Sequence, residues 1–173
     1  MIDLSYYLNT KENFKFWDGT NLFAKGNKTE YIYNKLKNIS SHMTLYLRKD
    51  IPDFLHIKNS SRTGDILIVA EKEWVVSTYD RHDDTEWGSH GYSHMYRDMN
   101  PFFVAFGPAF RSGIKKRCIE TVDVYGVVCY ILGIKPVKND GSFSRASWML
   151  NNVDSKKLKD LDLEVDQGKI EKC

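Results

Sequence analysis

Three patterns in these 173 residues predict an α/β fold. The run Asp65-Ile-Leu-Ile-Val-Ala70 is continuously apolar and β-branched, which fits a strand covered on both faces. Thr29 to Ile39 carries Ile32, Leu36 and Ile39 at i, i+4 and i+7, one apolar helical stripe. Thr121 to Leu132 carries Val124, Val127, Val128, Ile131 and Leu132 at i, i+3, i+4, i+7 and i+8, the spacing of a second helix.

Taken in order, Met1-Ile2-Asp3-Leu4 reads as the end of a strand. The aromatics Tyr6, Tyr7, Phe14, Phe16 and Trp17 follow without a clear period. Trp17-Asp18-Gly19-Thr20 and Lys25-Gly26-Asn27 are turn signals. Thr29 is placed to cap the first helix through its hydroxyl, and Lys28, Lys35 and Lys37 read as a solvated face. Met43-Thr-Leu-Tyr-Leu-Arg48 alternates as a strand does, and Ile51-Pro52 ends it. Lys58 to Thr63 is polar loop. Trp74-Val75-Val76 either extends the Asp65–Ala70 strand or forms a short partner strand. Phe102-Phe-Val-Ala-Phe106 reads as a short apolar strand, stopped by Gly107-Pro108. Gly133 and Pro136 close the second helix, and Glu120 and Asp123 suit its positive end. Lys156 to Val165 is charge-dense, a short surface helix or a disordered tail.

The length suits one domain. At 42% hydrophobic and 13% aromatic the chain can bury a core, and 28% charged residues is ordinary for a soluble protein. A net charge of +2 argues against a nucleic-acid polymer as partner, which would favour a clustered basic excess. No run of apolar residues is long enough to predict a membrane span. The opening residues lack the basic and apolar regions of a signal peptide. Cys118, Cys129 and Cys173 are odd in number and lack zinc-motif spacing, so no disulfide framework or cysteine metal site is read from them. Cys129 falls in a helical pattern and reads as a small buried apolar residue. Asn27-Lys-Thr, Asn38-Ile-Ser and Asn59-Ser-Ser are candidate glycosylation sites.

The chemistry concentrates between Asp83 and Phe110. His90 stands between Gly88 and Gly91, in Gly88-Ser89-His90-Gly91-Tyr92. Glycine on either side admits backbone conformations that a β-carbon disfavours, so a tight turn can present the imidazole. Met99-Asn100-Pro101, the apolar run and Gly107-Pro108-Ala109-Phe110 follow. Together these elements resemble the nucleotide pyrophosphatase/phosphodiesterase family of the alkaline phosphatase superfamily. That family carries Gly-x-His-Gly-Tyr, then Met-x-Pro, then an apolar strand closing in Gly-Pro-x-Phe. Glu71-Lys72-Glu73-Trp74 after the main strand, and Asn139-Asp140-Gly141-Ser142-Phe143 after the second helix, match the family's pattern. Tyr33 to Asn38, His42-Met43, Tyr46-Leu47 and Ile51-Pro52 most resemble the branch with the fourth and fifth mammalian members. The resemblance covers residues 1–150, expected to form the C-terminal part of a catalytic domain. Residues 151–173 are expected to be a charged tail.

The resemblance implies an alkaline-phosphatase-like α/β sandwich, of which this chain would be the C-terminal portion. It implies hydrolysis of phosphodiester or pyrophosphate bonds in nucleotides, through a threonyl-phosphate intermediate. Two zinc ions would be held by aspartates and histidines, the ligand types zinc favours. Such a pair can clamp the attacking and leaving oxygens together. The family's last ligand in chain order corresponds to His90, and only that ligand carries over. The nucleophile loop, Asp-His-Gly-Met and Gly-His elements have no counterpart here, so no catalytic residue is assigned. The chain is therefore expected to be part of a larger enzyme and, alone, neither to turn over nor to hold zinc tightly, since zinc sites take three or four protein ligands. The family's location implies an extracellular or cell-surface protein, its parent membrane-held or secreted.

Ser93 and His94 depart from the family's pattern after Tyr92, so His94 is read as a chance addition. His82, Asp83, Asp84, Glu86, His90 and His94 also suggest a self-contained metal loop, though Gly91 argues against a helical His-x-x-x-His face. A solvated acidic loop is the simpler reading. Tyr92, Met99, Phe102 and Phe110 are read as packing residues, and His42 and His56 receive no role. The rival readings are a non-catalytic extracellular binding module and a phosphatase or sulfatase from elsewhere in the superfamily.

Overall fold

The computed structural model describes residues 1–78, 90–115 and 119–163. The chain forms two compact units, Met1–Pro101 and Phe102–Cys173.

The first unit is built on a four-stranded antiparallel sheet. Its strands are β2 (Phe14–Trp17), β3 (Asn21–Ala24), β4 (Met43–Leu47) and β5 (Ile66–Ala70), in the spatial order β2-β3-β5-β4. The β2–β3 turn forms at Asp18, whose Oδ1 accepts the amides of Thr20 at 2.9 Å and Asn21 at 2.6 Å. Burial pushes that carboxyl up, but these amide donors outweigh it and hold it below its ordinary value. Strand β5 lies between two neighbours, and Ile66, Leu67 and Ile68 are at most 2% exposed. Coverage on both faces is as the sequence predicts. The composition is that of a parallel strand, yet both neighbours, β3 and β4, run antiparallel to β5. Ile66 and Ile68 join Leu22, Leu45, Ile32 and Leu36 in one core cluster. Burying each such side chain stabilises the unit by about 1.5–3 kcal/mol.

The helix α1 (Thr10–Asn13) precedes β2, and α2 (Thr29–Leu36) connects β3 to β4. Helix α2 buries Ile32 and Leu36 as expected, but ends at Leu36. Ile39 still packs on the core, from a turn closed by its amide on the Leu36 carbonyl at 3.3 Å. Thr29 does not cap the helix. Lys28 occupies that position without a side-chain cap, and Thr29 is already the first helical residue. Trp74-Val75-Val76 does not extend β5. Val76–Ser77 is β6, paired in parallel with β1 (Ile2–Asp3), because the turn after Ala70 redirects the chain. Glu73 takes a left-handed φ of 72° in that turn.

The second unit contains α3 (Asp123–Leu132), α4 (Phe143–Ser147) and α5 (Ser155–Leu161). Its core joins Val127, Tyr130, Phe143, Ala146, Leu150 and Leu161. The expected stripe of α3 is corrected. The buried residues are Asp123, Gly126, Val127, Cys129 and Tyr130, while Val128, Ile131 and Leu132 are exposed. The helix is apolar nearly all round, so periodicity cannot select the face. The choice falls to Asp123, which is fully buried. Its carboxylate accepts Arg145 Nε and a second guanidinium nitrogen at 2.8 and 2.9 Å, and the amides of Glu120 at 2.9 Å and Ser142 at 2.8 Å. Gly133 ends α3 in a left-handed conformation, φ 70°, as predicted. Gly141 lets the chain pass the Val122 carbonyl, which a β-carbon there would strike. Cys129 is buried and free; Cys118 and Cys173 lie outside the described residues. The charged segment forms α5, and it buries Leu161.

Phe102–Phe106 is not a strand. It has no regular structure, and Phe102 and Phe106 are 90% and 91% exposed. Among the described residues no strand accepts its backbone groups, and an apolar run without a ladder partner gains nothing from extending. Phe102 is therefore not a packing residue, whereas Phe110 packs against the second unit's core. No helix among the described residues is long and apolar enough to cross a membrane.

Candidate functional site

Two strands and a turn lead into the His90 segment. The Ile2 amide donates to the Val75 carbonyl at 2.7 Å, and Ile2 and Asp3 register with Val76 and Ser77. His90 is exposed and in no regular element. Gly91 adopts φ 84°, the left-handed conformation that glycine tolerates and that the sequence predicts for this turn. Gly88, on the other side, lies outside the described residues. Beyond Gly91, the Tyr96 amide donates to the Ser93 carbonyl, Met99 to Tyr96 and Asn100 to Arg97, at 3.0, 2.9 and 3.2 Å. These bonds shape a 3-10 turn at Arg97–Met99.

The segment is held from the side by residues that motif reading passes over. Lys72 Nζ lies 2.6 Å from Asp98 Oδ2. The hydrogen bond raises the Lys72 ammonium above its ordinary value and holds the Asp98 carboxyl below its own. His94 sets its ring against Phe54, centroids 5.9 Å apart, so this departure from the family pattern has a local packing role. His42, given no role from sequence, stacks on Trp74 at 3.9 Å with the rings 7° from parallel. Its Nδ1 is 2.9 Å from Glu71 Oε2. A signal for this cluster does exist. The β4–β5 register pairs Met43 with Ala70, so one step further brings residue 42 beside residue 71. His56 ends a 3-10 turn in a left-handed conformation.

The expected zinc chemistry meets one donor here. His90 offers an accessible imidazole, the right ligand type. Among the described residues no three His, Cys, Asp or Glu side chains converge to hold a metal ion. Of the self-contained metal loop, His82, Asp83, Asp84 and Glu86 lie outside the described residues. The open cleft of 430 Å³ in the first unit is lined by Thr29, Glu30, Arg48, Lys49, Lys58 and Asn59 among others, none of them in the His90 segment. Lys49–Glu30 and Lys58–Asp53 ion pairs, each 3.7 Å, take up two of its cations. The sequon residues Asn27, Asn38 and Asn59 are all exposed.

Residues 5–93 match the family model described as type I phosphodiesterase / nucleotide pyrophosphatase. The match contains His90. The chain is 40% identical over 129 residues to human bis(5'-adenosyl)-triphosphatase ENPP4, covering 75% of this chain and 28% of that protein. It is 32% identical over 156 residues to human ectonucleotide pyrophosphatase/phosphodiesterase family member 5, covering 88% of this chain and 32% of that one. The chain thus spans about a third or less of the curated relatives it matches. Among solved structures, human ENPP5 superposes with TM-score 0.73 at 30% identity, over 87% of this chain and 41% of the other. Murine ENPP5 superposes equally well at 28% identity, and an inactive form of it has been solved in complex with AMP. These superpositions bear out the α/β class and the alkaline-phosphatase-like fold.

Proposed function

This chain belongs to the type I phosphodiesterase / nucleotide pyrophosphatase family, and we propose that it is part of an extracellular, zinc-dependent enzyme hydrolysing phosphodiester or pyrophosphate bonds in nucleotides. His90 is the zinc ligand this chain contributes. The observation carrying the reading is the exposed imidazole of His90 beside the left-handed Gly91, inside the stretch matched by the family. Bound zinc would stabilise charge developing on phosphoryl oxygens. Within the chain, the turn at Gly91 presents the His90 ring, and the 3-10 turn beyond it fixes the segment's exit.

The chain corresponds to the C-terminal part of the catalytic domain over residues 1–150, followed by a charged segment over 151–173 in which α5 packs Leu161 into the second unit's core. The remaining zinc ligands and the nucleophile come from elsewhere in a longer protein. The exposed apolar side chains of Phe102–Phe106 and the outer face of α3 support this, since contiguous apolar surface is characteristically covered in a complete protein. The 173-residue chain alone is inactive and holds zinc weakly. Exposed sequons at Asn27, Asn38 and Asn59 fit an extracellular glycoprotein, and removal of N-glycans from the secreted protein would shift its mass.

Metal analysis and nucleotide turnover of the longer protein test the reading. The expected result is bound zinc, chelator-sensitive hydrolysis of a dinucleoside polyphosphate, and loss of both on His90→Ala. Metal-free longer protein would favour the non-catalytic binding module. Saturable, metal-dependent turnover by the 173-residue chain would overturn its assigned inactivity.

A further inference from the structure

One of the three sequons stands on the wall of the open cleft in the first unit. Asn59 lines that cleft together with Thr29, Glu30, Leu47, Arg48, Lys49 and Lys58, whereas Asn27 and Asn38 do not line it. We propose that Asn59 carries an N-linked glycan and that the cleft is the subsite in which its inner N-acetylglucosamine units lie. The inference rests on the reading of the chain as part of an extracellular glycoprotein.

The backbone around Asn59 is fixed while the sequon itself is open. The Ser60 amide donates to the Ile57 carbonyl at 3.0 Å, and the Thr63 amide to the Ser60 carbonyl at 3.2 Å. The buried Thr63 hydroxyl donates to the Ile57 carbonyl as well. Asn59, Ser60 and Ser61 are all exposed on this turn, as an acceptor sequon in a surface loop must be. The other two are less open. Thr29 is half-buried in the first residue of α2, and Ser40 Oγ accepts the His42 amide at 3.1 Å. Glycan transfer joins Asn59 Nδ2 to the sugar C1. The bond from C1 to a polyprenyl diphosphate donor breaks, the diphosphate leaves with its electron pair, and the amide gives up one proton.

The cleft has the chemistry a sugar needs. Its volume of 430 Å³ is that of a small-molecule site. Leu47 and the aliphatic stems of Lys49 and Lys58 offer apolar surface to the N-acetyl methyl and the C–H face of a ring. Glu30 accepts from hydroxyls and Arg48 donates to them. The Lys49–Glu30 and Lys58–Asp53 ion pairs, each 3.7 Å, hold their charged heads together. Arg48 Nε donates to the Gly64 carbonyl at 3.2 Å, which sets the direction of its guanidinium. Each such contact is weak, but the glycan is tethered beside them. A short tether supplies an effective concentration on the order of millimolar, so millimolar affinity is enough to keep the sugar in place.

The experiment uses the longer protein secreted from a eukaryotic cell. Site-resolved mass spectrometry should find Asn59 occupied. Peptide N-glycosidase should release that glycan from native protein about tenfold more slowly than from unfolded protein. Lys49→Trp fills the cleft and leaves the sequon intact, so it should bring native release to within about twofold of the unfolded rate. As a second readout, the Arg48 and Ile51 amides should exchange hydrogen about threefold more slowly in glycosylated protein than in Asn59→Gln. A bare Asn59 overturns the proposal, and so does equal release from native and unfolded protein. Slow release that survives Lys49→Trp puts the shielding outside the cleft and also overturns it. Glycans at Asn27 or Asn38 with Asn59 bare refute this inference alone, while three bare asparagines refute the glycoprotein reading beneath it.

Discussion

Two five-residue apolar runs in this chain meet opposite fates. Ile66-Leu-Ile-Val-Ala70 is the central strand of its sheet, hydrogen-bonded on both edges, with its first three side chains almost wholly buried. Phe102-Phe-Val-Ala-Phe106 is as apolar, and among the described residues it has no ladder partner and stands largely exposed. Every residue of both runs is apolar, so apolarity does not decide. A strand is stable only when neighbouring backbones satisfy its amides and carbonyls and a second layer covers its side chains. β5 receives β3 and β4 from within its own unit. The second unit supplies helices instead, organised around a buried ion pair.

That organisation gives the largest expected effect. Asp123→Ala removes the fully buried carboxylate that Arg145, 20% exposed, meets at 2.8 Å, while the 2.9 Å ion pair of Arg145 with the exposed Glu120 remains. The Glu120 and Ser142 amides also lose their acceptor. A loss of about 3–5 kcal/mol is expected in denaturant unfolding of the second unit. The same residue makes that unit acid-sensitive. Burial pushes the Asp123 carboxyl up, but Arg145 and the Ser142 and Glu120 amides outweigh it and hold it below its ordinary 3.8. Its stabilisation is fully present above that ordinary value and is lost as pH falls through the lower folded value. Asp123→Asn should remove this part of the acid dependence, as read by circular dichroism of the helices.

The comparison of the runs is tested next. Ile68→Ala should cost the first unit about 2–5 kcal/mol, because it opens a cavity in the shared core. Tryptophan fluorescence of Trp17 and Trp74, both packed against that core, can follow the transition. Gly64→Ala should cost less, about 1–3 kcal/mol. Its β-carbon would sit 2.7 Å from the Leu22 carbonyl oxygen and 2.8 Å from the Leu22 nitrogen, so the approach of β5 to β3 must give. Val104→Ala, at a side chain 75% exposed, should fall within about 0.5 kcal/mol of no change. An effect there as large as that of Ile68→Ala would mean the second run is packed after all.

The site was legible where chemistry is local. His90 and the left-handed Gly91 follow from one short motif, because a turn needs glycine wherever it stands. Lys72 and Asp98 are 26 positions apart, and neither belongs to a recognisable pattern. The His42–Glu71–Trp74 cluster became readable only with the register of β4 on β5. Thr29 shows the limit at a helix end: a capping residue one place too far along is simply the first turn.

The amino-acid order alone determined the α/β class, the β5 run, both long helices, the Gly133 stop and the left-handed glycine beside the imidazole of residue 90. Each depends on periodicity, glycine conformation or functional groups within a few neighbours. Tertiary structure decided which face of α3 is inside, that β6 joins β1, that 102–106 finds no strand among the described residues, and that Lys72 meets Asp98. Those outcomes depend on which distant residues offer a partner. A hydrogen bond or a covered surface is a property of two segments, and no single stretch of sequence contains both.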